Sequence, residues 1–72
     1  MLTSKEHSAK LILHILKSDY RPANIPEIQE QLNELDWPLP TTTVARILNK
    51  LIEIGKVYRL GGSFVARETY EV

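Results

Sequence analysis

The sequence predicts a mainly α, α+β domain in which three helices precede a C-terminal β-hairpin. Three observations lead there. Apolar residues follow a helical period as far as Ile54, and β-branched and aromatic residues dominate two short runs after Gly55. Gly61-Gly62 stands between those runs, the spacing of a two-residue hairpin loop. Prolines 22, 26, 38 and 40 break the helical part into three pieces.

The first helix is expected over residues 4–18, with Ser4 as its N-cap and Asp19-Tyr20-Arg21-Pro22 ending it. Leu11, Ile15, Ile12, Leu16, Ala9 and Leu13 fill an arc of about 200° at 100° per residue. One packing face needs only ~100° or a little more. Either several elements cover this helix, or part of it is a partner surface. Ala23-Asn24-Ile25 reads as an extended link with room for one or two residues of edge strand. The second helix is expected over 26–35. Pro26 suits its first turn, Glu27 and Glu30 its dipole, and Ile28, Leu32 and Leu35 form a narrow core stripe. Asp36-Trp37-Pro38-Leu39-Pro40 is a connector whose Trp37 and Leu39 cap the core. The third helix is expected over 41–54, N-capped by Thr41 or Thr42 and stopped by Gly55 at the position after its C-cap. Val44, Ile47, Leu48, Leu51 and Ile52 form its core face. Strands are expected over 56–60 and 63–68, with Tyr58 and Phe64 as packing residues.

Seventy-two residues suffice for one core, so residues 1–72 are read as a single domain. No cysteine is present, which rules out disulfides and thiolate metal sites and suits a reducing compartment. No apolar run approaches the roughly 20 residues that span a bilayer, and the N-terminus lacks a signal-peptide core. A cytoplasmic protein without a membrane partner is expected. Two histidines, His7 and His14, lie on one helix and read as surface groups rather than a metal pair. Without a Gly-rich phosphate loop or an evident carboxylate pair, no catalytic residue, metal, cofactor or small-molecule ligand is expected, and the chain does not read as an enzyme.

The formal net charge is zero, but the charges are segregated. Lys5, Lys10 and Lys17 outnumber Glu6 in the first helix. Asp19, Glu27, Glu30, Glu34 and Asp36 outnumber Arg21 in the next stretch. Arg46, Lys50, Lys56, Arg59 and Arg67 outnumber Glu53 after it, and Glu68 and Glu71 close the chain. Binding depends on the field at the contacting face rather than on the total.

Helix, helix, connector, helix, hairpin is the element order of a winged helix-turn-helix. The major groove of B-DNA admits one α-helix, so a recognition helix keeps an apolar face inward and shows small and basic residues outward. The third helix has this pattern. Thr42 and Thr43 stand at the N-terminal end that approaches the groove floor. Arg46 is suited to guanine O6 and N7, Asn49 to adenine N6 and N7, and Lys50 to a phosphate. Arg59 and Arg67 are expected beside the Gly61-Gly62 tip, meeting the backbone or minor groove. The alternatives for these residues are capping chemistry for the threonines and a solvated helix face for Arg46 and Lys50. Trp37 is read as a core plug rather than a base-stacking group.

The segment Thr41-Thr42-Thr43-Val44-Ala45-Arg46-Ile47-Leu48-Asn49-Lys50-Leu51-Ile52-Glu53-Ile54-Gly55-Lys56-Val57 resembles the recognition helix and first wing strand of winged-helix repressors. It is similar to the penicillinase-repressor type and to the N-terminal domain of ferric uptake regulators. The shared features are the Thr-Val pair, the Leu/Ile face and the glycine-to-aliphatic step. Ile25 to Leu32 resembles their second helix and Asp36-Trp37 their connector, so the similarity covers residues 9–67. The resemblance implies a dimeric transcriptional repressor that binds double-stranded DNA. The alternative expectation is a winged-helix protein-interaction module, for which the neutral total charge speaks. A homodimer is expected through the first helix, by way of Leu11, Leu13 and Ile15, with Tyr70 and Val72 as further candidates.

Overall fold

A computed structural model describes residues 4–18 and 22–70 of the chain, with side chains through Glu68. The elements are α1 (Ser4–Ser18), α2 (Ile25–Glu34), α3 (Thr41–Glu53), β1 (Val57–Leu60), β2 (Ser63–Ala66) and α4 (Arg67–Tyr70). Three helices followed by an antiparallel hairpin is the expected class. The single turn of α4 was not expected: it takes over at Arg67, where the second strand was expected to run on to 68. The termination of α1 at 19–21 and the contributions of the Tyr70 side chain and Val72 lie outside the described residues.

α1 is the helix the others cover. It packs against α2, α3 and β2, which accounts for its wide apolar arc. Ile12 and Leu16 are fully buried and Ile15 is 7% exposed, while Ala9, Leu11 and Leu13 are half-buried against the same core. Ile28 and Leu32 of α2, Val44 and Leu48 of α3, and Val57 of β1 complete the dry centre. Of the residues expected in the arc, Ala9, Leu11 and Leu13 keep partial access to solvent.

α2 starts with a capping box. The Asn24 side-chain oxygen accepts from the Glu27 amide at 2.9 Å, and Glu27 Oε1 accepts from the Asn24 amide at 3.2 Å. Pro26 sits in the first turn, where its missing N–H costs nothing. Glu27 therefore acts through hydrogen bonding as well as through the dipole. Leu35 departs from its expectation. The helix has ended there, so the side chain leaves the stripe and is 48% exposed. Ser4 likewise lies within the first turn of α1, its carbonyl accepting from the Ser8 hydroxyl at 2.8 Å, rather than standing outside the helix as a cap.

Both α2 and α3 end in the same reversed hydrogen-bond pattern. After α2, Asp36 (φ 58°) donates to the Asn33 carbonyl at 3.1 Å and Trp37 to the Leu32 carbonyl at 2.9 Å. After α3, Gly55 (φ 79°) donates to Ile52 at 3.0 Å and Lys56 to Leu51 at 2.8 Å. These are Schellman motifs, in which a left-handed residue lets the chain turn sharply while pairing the last carbonyls. Gly55 meets that need without a Cβ, whereas Asp36 adopts it against a steric penalty.

In the hairpin Val57 pairs with Ala66, Tyr58 with Val65, Arg59 with Phe64 and Leu60 with Ser63. Gly61 has φ 66° and Gly62 no positive φ, the φ pattern of a type II′ turn. On the other side of β2, Ala23 and Phe64 exchange two backbone hydrogen bonds of 2.9 Å. The link before α2 thus supplies one residue of a third strand.

The two left-handed positions make a paired test. Gly55→Ala adds a Cβ that meets Arg67 Nη1 at an ordinary 3.7 Å, so the strain falls on the backbone. A left-handed non-glycine residue costs about 1–2 kcal/mol, partly offset by the loss of about 0.4–1 kcal/mol of unfolded-state freedom. The net of about 1 kcal/mol lowers the melting midpoint by about 4–8 °C in a domain of this size. Asp36→Gly is expected to raise the midpoint by a smaller amount: it relieves the left-handed strain and removes a negative charge from a helix C-terminus, but the greater freedom of glycine in the unfolded chain offsets most of that gain. Calorimetry on both variants reads the two signs.

Candidate functional site

The candidate site is the outer face of α3, and it depends on how firmly α3 is held at both ends. At the start Pro40, with an extended backbone, is the N-cap, and no side chain caps the helix. Thr41 and Thr42 are therefore inside the first turn, not the expected caps; Pro40 holds the extended conformation that a capping threonine would otherwise supply. Gln29 of α2 performs the tethering instead. Its side-chain amide donates to the Leu39 carbonyl and to the Thr41 hydroxyl, each at 3.1 Å. At the other end the Arg67 guanidinium reaches the Gly55 carbonyl at 3.5 Å.

Between these anchors Val44, Ile47, Leu48 and Leu51 face inward. Thr42, Arg46, Asn49, Lys50 and Glu53 are exposed, and Thr43 is half-buried. The five residues expected on this helix thus share one strip, with Thr43 at its edge and Glu53 as an added carboxylate. The strip is flanked by an open groove whose opposite wall is the first turns of α1, carrying Ser4, Lys5 and Ser8. Lys5, Arg46 and Lys50 give the groove three cations against Glu53. Sequence reasoning passed over Lys5. Its place beside α3 comes from packing between helices far apart in the chain, for which no local signal exists.

The connector that aims α3 is tied to the same end of α1. Trp37 Nε1 donates to the Ser8 hydroxyl at 2.7 Å, and that hydroxyl donates in turn to the Ser4 carbonyl at 2.8 Å. The His7 ring stands edge-on to Trp37, centroids 4.6 Å apart. Trp37 is half-buried against the core, as a plug would be, and Ser8 is a buried polar residue. His14, seven residues on, lines a different groove between α1 and α2. Among the described residues no three His, Asp or Glu side chains gather at a metal-binding spacing.

The hairpin separates the two arginines expected at its tip. Arg59 is exposed on β1, its guanidinium 5.9 Å from the centroid of the Phe64 ring across the strands. Arg67 lies past the end of β2, where its amide donates to the Lys56 carbonyl at 3.0 Å. It belongs to the base of the hairpin, about 16 Å of strand from the Gly61-Gly62 turn at the usual rise per residue. The reason is the register: Arg67 comes five residues after Gly62, which sets it opposite Lys56 rather than near the loop.

Ser8→Ala isolates the Trp37 tether. Alanine favours a helix by a few tenths of a kcal/mol over serine. Here it removes the acceptor of the indole N–H, and an unsatisfied buried donor costs about 1–3 kcal/mol. The variant is expected to be less stable than the parent, with a changed Trp37 emission spectrum in the folded state. Equal or greater stability would show that the bond holds nothing in place.

No helix among the described residues is long and apolar enough to cross a membrane. Compared with family models, curated proteins and solved structures, the chain finds no match in any of the three.

Proposed function

We propose that this chain is a winged helix-turn-helix that binds double-stranded DNA sequence-specifically, as a repressor-like transcriptional regulator. The observation that carries the reading is the exposed strip of α3, where Thr42, Arg46, Asn49 and Lys50 share one face of a helix whose other face is core. In this reading α3 enters the major groove and the hairpin is the wing that meets the phosphate backbone or the minor groove. Arg46 and Asn49 read base edges, Thr42 and Thr43 contact the groove at the helix start, and Lys50 neutralises a phosphate. Lys5 adds a second phosphate contact from across the groove. The wing contributes Arg59.

A protein-interaction module of the same shape is the second reading, favoured by the zero net charge and by Glu53 on the strip. The excess of cations in the α1–α3 groove supports DNA over a protein partner. Selection of bound sequences from a random duplex library, at two salt concentrations, decides between them. An enriched motif with a steep salt slope is expected of the DNA reading. No enrichment and a flat slope would leave the protein-module reading.

Single substitutions on α3 have distinct signatures. Arg46→Ala is expected to cost about 1–3 kcal/mol and relax preference at one base position. Lys50→Ala is expected to weaken all sequences alike and lower the salt slope by about one unit. Fluorescence anisotropy on a selected duplex and its single-base variants measures both. Unchanged binding by both would remove α3 as the recognition helix.

The wing separates in the same assay. Arg59→Ala is expected to reduce affinity for all duplexes together, with a shallower salt dependence. Arg67→Ala is expected to lower thermal stability and leave the affinity of the folded protein unchanged, because Arg67 lies at the hairpin base. Loss of affinity at full folding in Arg67→Ala would place the hairpin base on the DNA instead.

A further inference from the structure

The groove flanking α3 lies at the N-terminal end of α1, and two further grooves of opposite charge lie along its C-terminal end. One runs between α1 and α2. It is lined by Glu27, Glu30 and Glu34, with His14 and Ile15 on the α1 side and the exposed Leu35 at its end. The other runs between α1 and the hairpin base. It is lined by Lys17, Lys56 and Arg67, with Glu68 paired to Lys17 at 3.1 Å, and it includes Leu13 and Ile54. Leu35 is 48% and Ile54 54% exposed, two of the three large apolar side chains that stand out most from the described surface. Each charged groove therefore carries one of them.

We infer that these two grooves bind each other, in a two-fold dimer of this chain arranged around the C-terminal half of α1. In a two-fold pair, what one protomer offers to its partner the partner returns. The acidic groove of one copy receives Lys17 and Lys56 of the other, Leu35 and Ile54 approach the same seam, and the contact occurs twice. The complementarity is internal to one sequence, and it is this that makes a second copy the occupant we infer. The placement leaves α3 free: α1 is about 22 Å long at 1.5 Å per residue, and Ser4, Lys5 and Ser8 are at its other end. The inference does not rest on DNA binding and is tested without DNA.

The test is a charge exchange read by sedimentation equilibrium. One variant carries Glu30→Lys and Glu34→Lys, the other Lys17→Glu and Lys56→Glu. Circular dichroism and thermal melting establish that each is folded. The parent is expected to dimerise, more weakly as salt rises, because exposed charges are screened beyond about 10 Å at 0.1 M ionic strength. Each variant alone places like charges at both contacts and is expected to raise the dimer dissociation constant about tenfold or more. Mixed in equal amounts the two variants again match at both contacts, so a dimer of one of each is expected to re-form. A parent that stays monomeric at all accessible concentrations overturns the inference. So does a parent dimer that both variants leave intact, or variants that fail to re-associate when mixed.

Discussion

The exposed strip of α3 has a defined direction because the chain reverses at Asp36 and Gly55, each in the left-handed region. At both points two amides reach back to the last helical carbonyls, so the bend and the hydrogen-bond satisfaction of the helix end are one event. The turn at Asp36 puts Trp37 against α1 and leads into the proline pair that starts α3. The turn at Gly55 sends the chain directly into β1. Remove either and the core face of α3 could still find apolar partners, but the angle at which its outer face is shown would no longer be determined. Gln29 and the Trp37–Ser8 bond then tie the connector that follows the first of these turns to both preceding helices.

Periodicity was a good guide where the controlling interactions were local. The extents of α1 and α3, the hairpin loop at Gly61-Gly62 and the stop at Gly55 all follow from residue type and spacing, because each is decided within about one turn of chain. Leu35 fits the arithmetic of a stripe, yet the helix ends beneath it. Arg67 fits a strand, and its amide still pairs with Lys56, yet the chain turns into α4 at that residue. The N-cap of α2 is less legible, because Asn24 groups with Ala23 and Ile25 as an extended link and its partner Glu27 stands three positions later, beyond Pro26. The contacts that shape the candidate site, Trp37 with Ser8 and Lys5 across from Lys50, join residues distant in sequence. Composition carries no trace of such meetings.

The zero net charge is informative once mapped. Negative charge collects on α2, and positive charge collects on α3, on the start of α1 and at the hairpin base. A molecule with extents of only 29 × 24 × 20 Å thus shows opposed fields on surfaces within a couple of Debye lengths of each other. Any polyanion approaching it is drawn to one side and turned away from another, so orientation is selected before contact.

The pair of hydrogen bonds between Ala23 and Phe64 makes β2 the middle strand of a small sheet whose third member comes from the opposite half of the chain. Phe64 thus faces its near neighbour Arg59 across the hairpin but spends both its N–H and its C=O on the remote Ala23. The hairpin can form early, as a local loop, but its inner edge waits for α1 and α2 to assemble and deliver Ala23. Folding of the C-terminal half is in this way made conditional on the N-terminal half. The Phe64 amide, enclosed in that late contact, belongs among the slowest in the chain to exchange its proton with water.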